Sequence, residues 1–169
     1  LKTYHLPLDY HDIIVYTGSG AGAGGTQTQK GIARVITKLP TADGTNTAWT
    51  ASAGADYTTV DEAAPNADTD YISSATVGQI DTFTYPALGV TGTVMGVGVT
   101  SLARKDDAGT RSIVEHIRSG GGEYDGAATK TLTTTYVIYQ QVWETDPNTG
   151  VAWTVAGVDS AEHGAKLTA

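Results

Sequence analysis

The stretch TLTTTYVIYQQVWE, residues 131–144, constrains the chain most. Thr, Val, Ile, Tyr and Trp fill it, and these residue types suit the pleated, half-buried surface of a strand. Alternation gives it two faces, with Tyr136, Ile138 and Val142 on one and Val137, Tyr139 and Trp143 on the other. A strand leaves its backbone groups unsatisfied unless neighbours ladder with it. The rest of the chain therefore has to supply more strands.

It does so at regular intervals. IIVY at 13–16 reads as a short strand, and IARVITKL at 32–39 alternates Ile32, Arg34, Ile36 and Lys38 against Ala33, Val35, Thr37 and Leu39. PTADGTN at 40–46 reads as a turn. TVMGVGVTSLA at 93–103 sets Met95, Val97 and Val99 on one face, KDDAGT turns the chain, and RSIVEHIRS runs back. Residues 93–118 thus read as a β-hairpin. GGGEYDG at 120–126 reads as a loop and TDPNTG at 145–150 as a turn. Near the end Thr154 caps a short helix that stops at Gly164, and AKL at 165–167 forms a last edge strand.

About eight strands with turn signals between them predict an all-β fold, a jelly-roll-like antiparallel β-sandwich with at most one short helix near the C-terminus. Composition agrees: 28 Thr and 21 Gly among 169 residues, with Leu and Lys sparse. The length fits one domain. Residues 31–169 are read as the sandwich. Residues 1–30 are read as an N-terminal arm and Gly-rich linker, with Tyr16, Gly18, Gly20, Gly22 and Gly25 as its assembly elements. Two readings stay open at Leu1, a chain that stands alone and the trimmed part of a longer one.

Charge excludes some functions. The net charge is −8, and the ten Lys and Arg are scattered, Arg104-Lys105 being the one adjacent pair. A surface that tracks phosphates needs clustered cations, so no nucleic acid is expected as a partner. No apolar run reaches membrane-spanning length, and no membrane partner is expected either. With no cysteine, disulfides, thiolate metal sites and cysteine nucleophiles are excluded.

The chemistry-bearing motifs are weak. Gly20, Gly22 and Gly25 satisfy G-x-G-x-x-G, but a β-patterned run follows where a dinucleotide site needs a helix N-terminus. Asp61, Glu62, Asp68 and Asp70 are spaced like ligands of a cation. Counted from Asn66, however, the sixth position is Tyr71 and the twelfth Val77, where a calcium loop needs Gly and Glu. The expectation is a turn fixed by Asn and Asp side chains. His5, His11, His116 and His163 show no zinc spacing, and His116 reads as ordinary strand filling. Glu115, Glu123 and Glu144 have no distinguishing neighbours, and there is no G-x-S-x-G elbow. No catalytic residue, metal ligand or cofactor is assigned. Trp49, Trp143 and Trp153 are the candidates for a glycan platform, since aromatic rings stack on sugar faces.

Several segments together resemble a known group. In chain order they are DIIVYTGSG, RVITKLPTADG, VDEAAPNADTDYISSATVGQIDTF, ARKDDAGTRSIVEHIRSGG, YDGA and YQQVWETDPNTGVAWTVAGVDSAEHGAKL. As an ordered set spanning roughly residues 10–169 they resemble structural proteins encoded by tailed bacteriophages and prophages. In longer relatives of that kind a lectin-like, concanavalin-type domain precedes the shared region, and HDIIVYTGSG resembles the junction. The resemblance implies a non-enzymatic virion component at the particle surface: a head decoration, spike or tail-fibre-associated subunit. Its expected partners are major capsid or tail proteins and further copies of itself, with a homotrimer as the first expectation. The alternative is a carbohydrate-binding module that contacts host or environmental glycans.

Overall fold

A computed structural model describes residues 8–18, as backbone, and 34–169 of the chain. The described residues form twelve strands, a one-turn 3₁₀ helix at Asp56–Thr59 and one α-helix. The strands are β1 (Leu8–Gly18), β2 (Arg34–Lys38), β3 (Ala42–Thr47), β4 (Thr50–Ala51), β5 (Ile72–Ser73) and β6 (Ile80–Thr84), then β7 (Thr93–Ala103), β8 (Ser112–Ser119), β9 (Gly122–Asp125), β10 (Lys130–Thr131), β11 (Val137–Trp143) and β12 (Glu162–Leu167). Helix α1 covers Val155–Ser160.

Two antiparallel sheets result. The first runs β11-β7-β1-β5-β4, with β2 also on β1, and the second runs β10-β8-β12-β6-β3, with β9 also on β8. Successive long strands lie in opposite sheets: β6 in the second, β7 in the first, β8 in the second, β11 in the first, β12 in the second. This alternation is the jelly-roll-like habit, and the fold is the all-β sandwich with one short helix near the C-terminus.

The apolar core lies between the sheets in two clusters. Trp49, Val60, Ile72, Phe83, Ile113, Leu132 and Leu167 anchor one. Val94, Val97, Val99, Ile117, Trp153 and Val158 anchor the other. Buried polar residues stand between them along the same strand faces: Glu115 separates Ile113 from Ile117, and Ser101 separates Val99 from Ala103. Fully burying a large aliphatic or aromatic side chain is worth about 1.5–3 kcal/mol, so these residues dominate the stability.

Several local expectations are corrected. Residues 93–118 are not a hairpin, because β7 and β8 belong to different sheets and the turn between them crosses the sandwich. Residues 131–144 are not one strand. Lys130–Thr131 pairs with β8, Leu132 enters the core, and the chain reaches β7 only at Val137. PTADGTN contains β3, whose Ala42 and Asp43 pair with β6 before a register shift. GGGEYDG contains β9. Gly120 and Gly121, at φ 58° and 84°, form the two-residue turn that folds β9 back on β8, a conformation that glycine adopts without steric cost.

Met95 does not share a face with Val97 and Val99. The β1–β7 register shifts there, from Tyr16↔Gly96 to Thr17↔Val94. The extra residue reverses the alternation, so Val94 is buried and Met95 is 59% exposed.

The helix begins as expected, with the Thr154 hydroxyl accepting from the Gly157 N–H at 2.9 Å. It ends earlier, at Ser160. Gly164 is no cap but the middle of β12, and β12 is no edge strand, since it lies between β6 and β8. A Cβ on Gly164 would collide with the Asp81 carbonyl, so the close approach of β6 requires glycine here.

Tyr16 and Gly18 also fall differently from the arm reading. Both lie in β1, whose backbone pairs with β7 from Leu8 to Gly18 and with β2 from Ile13 to Thr17. Gly20, Gly22 and Gly25 lie outside the described residues.

Candidate functional site

The surface with the most distinctive chemistry is the outer face of β11 and the strand beside it. β11 pairs with β7 through Ile138↔Leu102, Gln140↔Thr100 and Val142↔Gly98. Among the described residues its other edge has no partner. Ile138 is 65% exposed and Val142 41%. Gln140 donates to the Thr100 hydroxyl at 3.1 Å, a neutral bond at the centre of the face. No Asp, Glu, Lys or Arg occurs from residue 131 to 143. An unpaired edge with apolar side chains and no charge lacks the devices by which monomeric sheets block strand addition.

The three tryptophans do not come together. Trp49 belongs to one core cluster and Trp153 to the other, at 5% and 2% exposure. Trp143 is half-buried against the second cluster, and its carbonyl accepts from the Trp153 indole at 3.0 Å. The rings therefore pack the sandwich and present no common exposed plane.

The acidic stretch is tied to its own fold. Asp68 Oδ1 accepts from Arg104 Nη2 at 2.8 Å and from the Tyr136 hydroxyl at 2.9 Å. These bonds, from Arg104 first and Tyr136 next, hold its carboxyl below the usual range. The Arg104 guanidinium also sits 5.3 Å from the Tyr136 ring centroid. Asn66 donates its side-chain amide to Asp70. Burial, with the charge of Asp70 adding to it, pushes Glu62 up to about 7. The Asn and Asp turn expected here is present, and Ala67 within it takes φ 61°. Among the described residues, no three His, Asp or Glu side chains are grouped to hold a metal ion.

On the outer face of the second sheet the structure assembles a charged network that no sequence spacing announced. His116 is 1% exposed. Its Nδ1 lies 2.7 Å from Asp125 Oδ1 and its Nε2 lies 2.6 Å from Glu123 Oε2. Arg118 bridges Glu123 at 3.1 Å and Glu162 at 3.2 Å, and Lys166 binds Asp125 at 2.7 Å. Glu162 accepts further bonds from the Thr45 N–H and hydroxyl and from the Thr82 hydroxyl. Burial alone would raise its carboxyl, but these bonds outweigh burial and hold it low. The signal was the i, i+2 alternation of His116 with Arg118 and of Glu123 with Asp125, facing pairs on adjacent strands. It becomes readable only once residues 120–126 are seen to contain a strand.

No protein-family model matches the chain, and neither a curated protein nor a solved structure matches it.

Proposed function

We propose that the chain is a structural component of a tailed-phage virion, a head decoration, spike or tail-fibre-associated subunit that acts by protein–protein assembly at the particle surface. The observation that carries the assembly reading is the exposed, uncharged face of β11, with Ile138 and Val142. Its occupant is a second copy of this chain. Copies with a net charge of −8 repel one another across most of their surface, and they approach most easily where the surface carries no charge. Three copies around a three-fold axis, the assembly expected from the sequence, bury this face together. The ordered resemblance of the segments to phage structural proteins supplies the particle. Major capsid or tail proteins are its remaining partners, and no catalytic step is assigned.

The glycan reading loses the feature that motivated it, because Trp49 and Trp153 are core residues. The test is mass spectrometry of purified particles from cells that carry the gene. The proposal expects many copies of the chain per particle. Its absence from particles, together with binding or turnover of a polysaccharide by the purified chain, would overturn the proposal.

A further inference from the structure

We propose that His116, Glu123 and Asp125 form a proton-held clasp that fastens the β8–β9 hairpin to the second sheet and releases it when the proton leaves. Both ring nitrogens face carboxylate oxygens, at 2.7 and 2.6 Å. A neutral imidazole has one N–H and one lone pair, whereas the imidazolium has two N–H donors. With a single ring proton, one of the two contacts becomes a lone pair against a carboxylate. With both carboxylates ionised, only the doubly protonated ring satisfies both.

The charges around the ring give the same answer. Strand β8 contributes Arg118, β9 contributes Glu123 and Asp125, and β12 contributes Glu162 and Lys166 on either side of Gly164, the residue paired with His116. Strand β3 contributes the neutral Thr45 and Asn46, and Asn46 donates to Glu123 at 3.2 Å. Three carboxylates thus face two fixed cations, and the imidazolium is the third. Burial tends to raise the Asp125 carboxyl, but hydrogen bonds from Lys166 and His116 outweigh it and keep the group low and ionised.

Losing that proton would change one element in particular. Strand β9 has four residues, turns on Gly120 and Gly121, and among the described residues pairs only with β8. Beyond the clasp it is held by a four-residue ladder with β8 and by the Arg118–Glu123 and Lys166–Asp125 ion pairs. Deprotonation would turn one charge-assisted bond into a repulsion between a ring lone pair and a half-exposed carboxylate. The hairpin then opens while β12, paired on both sides, stays in place. This device does not depend on the virion reading.

The experiment uses the full chain labelled with ¹⁵N-histidine, with the Asp125→Asn and His116→Gln variants for assignment. While the hairpin is closed, both His116 ring nitrogens should show protonated shifts. As pH is raised, loss of the second N–H should coincide with a gain in hydrogen exchange at the amides of residues 122–125, corrected for intrinsic rates. The gain should be about tenfold or more, the equivalent of one charge-assisted hydrogen bond. The amides of β12 should not follow. Asp125→Asn removes one carboxylate and lets a singly protonated ring satisfy both neighbours, so the step should vanish with the fold intact. A ring that carries one N–H throughout, or a hairpin whose protection ignores the loss of the second, would overturn the proposal.

Discussion

The backbone N–H of Trp49 donates to Asp81 Oδ2 at 3.0 Å, so a carboxyl group 0% exposed fixes the chain just before β4. Burial, reinforced by the nearby charge of Asp56, pushes Asp81 from its ordinary 3.8 up to about 8, against the Trp49 bond. Between those two values the folded chain holds a proton that the unfolded chain releases. Stability from this group is full below pH 4 and is lost as pH rises toward 8, by at most about 1.4 kcal/mol per pH unit.

Asp81→Asn keeps an acceptor for Trp49 and removes the ionisation. Its melting temperature should vary less with pH over that window and should exceed that of the wild type above pH 8. Thermal denaturation from pH 4 to 9 measures this. Parallel curves for the two proteins would show that Asp81 does not titrate as described.

Gly164→Ala should destabilise the sandwich by about 2–3 kcal/mol or more, because the added methyl meets the Asp81 backbone and not a movable side chain. Urea denaturation reads this directly. A change below about 0.5 kcal/mol, the range of an ordinary surface substitution, would mean that β6 and β12 do not approach as closely as described.

Thr154→Ala removes the side-chain acceptor for the Gly157 N–H. The expected cost is about 1 kcal/mol. Thr154→Ser should recover most of it, and equal losses in the two variants would remove the cap from the account.

The cap was legible because capping is local: one hydroxyl reaches one amide three residues away. The sandwich was legible because alternation over β2 and β11 survives in the structure. Met95 was misread because a bulge inserts a residue without any mark in the sequence pattern. Gly164 was misread because a glycine needed for close strand approach looks the same in sequence as one that ends a helix. The crossing at Leu132 was hidden for a related reason. A chain passing between sheets keeps strand-like residues while it changes partners. The face of β11 was partly visible, since Ile138 and Val142 were placed together from the start. The His116 network was not, because its members are joined by strand register and not by spacing.

The most direct test of the account is sedimentation of the purified chain beside an Ile138→Glu, Val142→Glu variant. Both side chains are exposed in the single chain, so the variant should keep the wild type's strand content, while its melting temperature loses the part that assembly adds. The wild type should sediment as an assembly of 17.5 kDa chains, with three as the expected number, and the variant as single chains. A wild type that stays monomeric at every concentration, or a variant that assembles equally well, would contradict the claim that this face joins one copy to the next.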